Sequence, residues 1–179
     1  TTRQNSLVTA LGGKSIVAKT DWHFATGLGN SHPVENGFAW HPTLGVPYLT
    51  GAAVKGMFRA WCEVWLGWKI TKEQKEASPD LDLKDDPRLK KWFGDTDSSG
   101  ALIFFDVVPT VPVKLIADIM TPHYGKWYEE GGNIKKANDP EVIPADWHSP
   151  VPIPFLAVGP ETEFLFSFAV RPPSDVNAA

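Results

Sequence analysis

Residues 45–66 read Gly-Val-Pro-Tyr-Leu-Thr-Gly-Ala-Ala-Val-Lys-Gly-Met-Phe-Arg-Ala-Trp-Cys-Glu-Val-Trp-Leu. Up to Tyr48, Gly45 and Pro47 break any regular structure. From Gly51 onward Val54, Met57, Phe58, Trp61, Cys62 and Trp65 recur at helical spacing and make one apolar stripe. The pattern predicts a helix from about Gly51 to Leu66 with Thr50 as N-cap and the stripe, Trp61 and Trp65 included, in the core. Lys55, Arg59 and Glu63 run beside the stripe, and Arg59 can pair with Glu63 one turn on.

The first turn, Gly51-Ala52-Ala53, has side chains too small to screen its own N–H groups. The macrodipole places about half a positive charge there, and Lys55 and Arg59 add cations, so a contact with phosphate is predicted. The residues alone fit equally well a plain cap beside a solvated Lys55 and Arg59. The pattern is not a nucleotide-binding P-loop, because the first glycine is missing and Gly56 replaces the hydroxyl residue.

Upstream, residues 14–20 read as a short strand, and the Gly/Pro-rich stretch 27–48 as a long ordered loop, a kind of segment that usually binds something. Downstream, the charged stretch 69–92 predicts a solvated helix followed by a loop. Ala101–Asp106 and Val113–Ile119 predict two strands of one sheet. Phe164, Phe166, Phe168 and Val170 alternate as a strand, with Ile153–Val158 as its expected hairpin partner. The six prolines of 120–154 exclude a ladder over most of that span and mark a projecting insertion at about 120–152. The order predicts an α+β fold on an antiparallel sheet, as a single domain over 1–179.

With 179 residues, 42% of them apolar, and 8 Trp and 10 Phe, the chain can bury a substantial core. A net charge of −4 argues against capture of nucleic acid by bulk charge, so any RNA contact must be local. Residues 1–68 carry 5 Lys+Arg against 3 Asp+Glu, and 99–179 carry 5 against 10. Cys62 stands alone, which excludes a disulfide framework or thiolate zinc site and fits a reducing cytosol. No apolar run nears the roughly 20 residues of a membrane span, so a soluble cytoplasmic protein is expected.

Residues 45–59, in which Pro-Tyr leads into Gly, small residues, Lys-Gly and Arg, resemble the signature of the RAMP superfamily. Gly27-Leu28-Gly29, His32-Pro33, Glu35-Asn36-Gly37-Phe38 and His41 resemble, within it, the sixth-subunit branch of the Cmr (type III-B) CRISPR effector. Phe93-Gly94, Gly100–Asp106 with Pro109, Asp118–Tyr124 and Pro152–Val158 do so too, and the likeness runs over most of 14–170. The resemblance implies a ferredoxin-like core with helices on one face of the sheet. It also implies a place beside other Cmr/RAMP subunits, contact with crRNA and target RNA in antiviral defence, and no catalytic role; on the residues themselves no cofactor is expected. The RNA-contacting residues expected on this reading are Thr50, Gly51, Ala52, Ala53, Lys55, Arg59, His32 and Asn36. The family continues past the last strand with another helix and a strand, so a C-terminal helix and strand are expected to be missing from this chain. Thr1 in first place agrees with a piece of a longer protein.

Five histidines invite a metal, yet no His-x-x-x-His or His-Glu-x-x-His spacing occurs. His32 and His41 could serve as acid and base in RNA cleavage, although bracing of the loop explains them more simply. Glu35 precedes the Pro-Tyr segment at about the distance where the related backbone-type subunit carries its cleaving aspartate, and a structural hydrogen bond at Asn36-Gly37 explains it equally well; a metal-independent endoribonuclease is the rival reading and a pure protein scaffold the third. Tyr124, Trp127, Tyr128, Trp147 and His148 in the insertion could stack on bases, as a thumb, or pin the loop onto the core.

Overall fold

In the computed structural model the described residues are 2–33, 36–78, 84–130, 139, 140 and 142–172. The elements in chain order are α1 (Thr2–Ala10), β1 (Lys14–Lys19), α2 (Gly51–Trp65), α3 (Lys72–Ala77), α4 (Pro87–Phe93), β2 (Leu102–Phe104), β3 (Val108–Pro109), β4 (Leu115–Met120), α5 (Gly125–Glu130), β5 (Ile153–Val158) and β6 (Glu163–Val170). They form two compact units. The first holds Thr1–Thr20, Trp40–Val113 and Glu161–Ala179, and the second holds Asp21–Ala39 and Lys114–Pro160.

In the first unit β6 is the central strand, antiparallel to β1 on one edge and to β2 and β3 on the other. The registers Ile16↔Phe166, Ala18↔Phe164 and Phe104↔Phe168 put these six side chains on one face. Leu165, Ser167 and Ala169 take the opposite face, where the Ser15 and Ser167 hydroxyls meet at 2.8 Å. A Cβ on Gly13 would stand 2.9 Å from both Ala169 Cβ and Val8 Cγ1, so the glycine is what lets α1 lie close to this strand. No sequence signal had marked α1.

The helix α2 runs over the expected residues, with Thr50 as N-cap and Gly67, in the left-handed region at φ 64°, just beyond its end. Its stripe is only partly buried. Val54 and Cys62 are covered, but Met57, Trp61 and Trp65 are 59%, 48% and 77% exposed, which corrects the expectation that Trp61 and Trp65 belong to the core. The physical reason is the width of the stripe. Cys62 packs with Trp68, Leu89 and Phe93 into the core cluster beside α4, while Val54, Met57 and Phe58 form one wall of an apolar groove of about 550 Å³. Ile16, Phe104, Phe166 and Phe168 line its other wall.

The segment expected as loop after α3 contains α4. Pro87 is its first residue, where a missing N–H costs nothing, and Asp86 caps it, so the proline starts a helix instead of breaking one. In the second unit β4 pairs with β5, from Leu115↔Val158 to Met120↔Ile153. The expectations that 101–106 and 113–119 share a sheet, and that 153–158 partners the last strand, are corrected on that observation. The β4–β5 pair brackets the Pro-rich stretch in the chain. In the same unit Phe24 exchanges reciprocal bonds with Val158, and Ala39 N–H donates to the Thr26 carbonyl at 2.8 Å.

Candidate nucleic-acid interface

The sequence places Thr50, Gly51, Ala52, Ala53, Lys55 and Arg59 on two turns of α2, and all lie in the first unit. His32 and Asn36 lie in the second. His32 is exposed. Asn36 is half-buried, and its Nδ2 is enclosed and meets no acceptor among the described residues.

The start of α2 is not the uncovered anion site expected of it. Gly51 N–H donates to Asp106 Oδ1 at 2.7 Å, Ala53 N–H to the Thr50 hydroxyl at 3.1 Å, and Val54 N–H to the Thr50 carbonyl at 3.1 Å. A carboxylate from the link between β2 and β3 therefore already complements the positive end of the dipole. Among the described residues, of the amides of Gly51, Ala52 and Ala53, that of exposed Ala52 meets no acceptor. Arg59 is committed as well: its Nε donates to Glu63 Oε1 at 2.8 Å and Nη1 reaches the Gly94 carbonyl at 3.4 Å. Lys55 is half-buried and forms no ion pair among the described residues.

Lys55 instead faces a polar cleft of about 360 Å³ that the sequence had not joined to it. Asp95–Gly100 and Arg171 supply its other polar walls. The turn is tightly built. Asp95 Oδ1 accepts from Asp97 N–H at 3.0 Å and from Ser98 N–H and hydroxyl at 2.8 Å each, and Lys90 Nζ pairs with Asp95 Oδ2 at 2.7 Å. Lys90 first, then Ser98, hold the Asp95 carboxyl well below the usual carboxylate range. A Cβ on Gly100 would collide with the backbone of Trp92 and Phe93, so this crossing requires glycine. Arg171 N–H donates to the Ala101 carbonyl at 2.7 Å, and its Nε reaches the Gly100 carbonyl at 3.4 Å, which fixes the guanidinium at the rim. With Asp95 offset by Lys90, the cleft presents Lys55 and Arg171 against Asp97, beside the hydroxyls of Thr96 and Ser99. That set can take one phosphate group through charge-assisted bonds. Arg171 and Asp106 are what the sequence reading missed, because each acts through a contact distant in the chain.

His41 braces its own loop. Its Nδ1 lies 3.4 Å from the amides of both Thr43 and Leu44 and 3.2 Å from the Thr43 hydroxyl, and its ring meets Tyr48 edge-on at 5.1 Å. Glu35 lies outside the described residues. Of the aromatics in the insertion, Tyr128 and Trp147 are 71% and 66% exposed. Trp147 Nε1 donates to the Pro140 carbonyl at 3.2 Å, and His148 Nε2 lies 2.9 Å from the Ile143 carbonyl. Among the described residues no helix is long and apolar enough to cross a membrane.

Comparison with known proteins agrees with this architecture. The CRISPR system Cmr subunit Cmr6 of Pyrococcus furiosus is 27% identical over 198 residues, which cover 86% of this chain and 56% of that protein. The Cmr6 of Saccharolobus solfataricus is 25% identical over 134 residues, 74% of this chain and 36% of that protein. The chain thus spans about half the length, or less, of these relatives. A chain in the cryo-EM structure of the type III-B Cmr-beta bound to cognate target RNA shares the fold at a TM-score of 0.61 and 20% identity, over 98% of this chain and 52% of that one. The family model of the RAMP superfamily matches residues 15–174, and the chain belongs to that superfamily.

Proposed function

We propose that this chain is an RNA-contacting, non-catalytic part of a subunit of a type III-B Cmr ribonucleoprotein, seated beside other RAMP subunits and touching crRNA and target RNA in antiviral defence. The observation that carries the reading is the cleft in which Lys55 and Arg171 flank the rigid Asp95–Gly100 turn. Its two cations and its hydroxyls suit a backbone phosphate. The match to Cmr6 proteins supports the class of complex, and a chain of the same fold occurs in a Cmr assembly bound to target RNA. Contact through one cleft also agrees with a chain of net charge −4, which offers no general basic surface.

The test is binding of a labelled single-stranded RNA across a range of salt. Lys55→Ala with Arg171→Ala should weaken binding evenly across sequences and flatten the log–log salt dependence by about 0.7 for each phosphate that is no longer neutralised. An unchanged salt slope would refute the cleft as a phosphate site. Metal-independent cleavage of the RNA that disappears in Glu35→Ala would instead establish the endoribonuclease reading.

A further inference from the structure

The second unit carries an arrangement unrelated to the phosphate cleft. Trp22 is 72% exposed, yet its indole is not loose. It stacks on the imidazole of His23 with centroids 4.8 Å apart and planes inclined by 14°. His23 Nδ1 is held by Asp118 Oδ2 at 2.7 Å, and Asp118 Oδ1 accepts from Ile119 N–H at 2.8 Å, so the carboxylate is pinned to its own strand. One residue on, Phe24 N–H donates to the Val158 carbonyl at 2.9 Å and Val158 N–H returns a bond at 2.7 Å, anchoring the backbone beneath the pair. A large aromatic ring is therefore presented to solvent with its back face and its orientation already set.

We propose that Trp22, backed by His23 and Asp118, is a stacking platform for one unpaired nucleobase of RNA. The proposal rests on the RNA-contacting reading above and extends it to a second, chemically different contact. Pre-ordering removes much of the entropic cost that a mobile surface Trp would meet on binding. The acidic groups near the ring are Asp118, which holds His23, and Asp21, the preceding residue, so the surroundings favour a neutral group over phosphate. What it offers is a π-face, which suits a planar, neutral base and is tolerant of sequence. Such a contact should be nearly independent of salt, whereas the Lys55 and Arg171 contact should not be.

The experiment compares two fluorescein-labelled 12-nucleotide probes, an oligouridylate and the same backbone with abasic residues, bound to the chain and read by anisotropy over a series of salt concentrations. The wild type should prefer the base-bearing probe by roughly tenfold, the scale of stacking one base on an aromatic ring. Trp22→Ala should abolish that preference and leave the salt slope unchanged, while Trp22→Phe should retain part of it. Asp118→Asn, which loosens His23 without touching the base, should give an intermediate preference. If Trp22→Ala keeps the wild-type preference, the platform is refuted, and the phosphate cleft stands or falls separately on its salt slope. If neither probe binds the wild type, the platform and the RNA reading fall together. If Trp22→Ala leaves both probes unaffected but loses co-purification with neighbouring RAMP subunits, the ring serves a protein contact and the proposal is overturned.

Discussion

Asp106 accepts the Gly51 amide at 2.7 Å, so a carboxylate 55 residues further along the chain closes the start of α2. Thr50 covers the amide of Ala53, and Asp106 covers one that no local side chain reaches. Asp106→Ala should therefore lower stability to urea by about 1–2 kcal/mol, the scale of a missing cap or charge-assisted bond. Asp106→Asn keeps an oxygen acceptor and should recover most of that deficit. Equal effects of the two substitutions would mean that charge, not the hydrogen bond, is what matters there.

Gly51 and Gly56 lie on the same helix and predict opposite outcomes. A Cβ on Gly51 would be driven into the Phe104 carbonyl, whereas one on Gly56 meets nothing within 4 Å. Gly51→Ala should cost roughly 2–4 kcal/mol, because backbone rather than a flexible side chain must move. Gly56→Ala should raise stability by about 0.5–1 kcal/mol through helix propensity alone. Thermal melts of the two variants read the contrast directly.

Acid should weaken the cap of α4. Asp86 accepts from the Arg88 backbone N–H at 2.8 Å and from the guanidinium at 2.9 and 2.7 Å, and that guanidinium lies 4.2 Å from the centroid of the Trp68 ring. The Arg88 side chain first, then its amide, pull the Asp86 carboxyl from 3.8 down to about 2. A carboxyl whose pKa falls on folding adds stability above its unfolded value and loses it as pH drops through the folded one. Stability should thus decline between about pH 4 and pH 2, and Asp86→Asn should flatten that part of the curve. Urea midpoints at pH 5, 3 and 2 for both proteins test it. Asp118, lowered chiefly by its bond to His23, should contribute in the same direction.

What the sequence made legible is what neighbours in the chain decide. The bounds of α2 follow from Thr50 and from the apolar spacing of Val54 through Trp65, all within the element or next to it. The alternation of Phe164, Phe166 and Phe168 likewise marks β6 correctly as a strand. Partnership is different. Nothing in Ile153–Val158 tells that it pairs with Leu115–Met120 and not with the strand just after it, because both neighbours offer apolar alternation and the choice depends on the whole fold. The site divides the same way. Lys55 was visible from its place on the helix, but its cleft depends on Arg171, 116 residues away by numbering, and on Gly100, whose role is a backbone crossing. Pro87 misled because its effect reverses with position, from breaker inside a helix to favoured first residue at its start.

The exposed half of the α2 stripe gives the sharpest test of which hydrophobic residues hold this chain together. By periodicity Trp65 and Cys62 belong to one stripe, yet Trp65 is 77% exposed whereas Phe93, which packs in the Cys62 cluster, is 1% exposed. Burial, not hydrophobicity, sets the contribution of a side chain, since an apolar group left in water gains no transfer free energy on folding. Trp65→Lys should therefore change the stability of this chain by no more than about 0.5 kcal/mol. Phe93→Ala empties a ring-sized space between α2 and α4 and should cost about 3–5 kcal/mol. Denaturation of the two variants side by side decides the matter. A large destabilisation in Trp65→Lys would show that this face of α2 is covered in solution, and would move the boundary of the core out to the whole stripe.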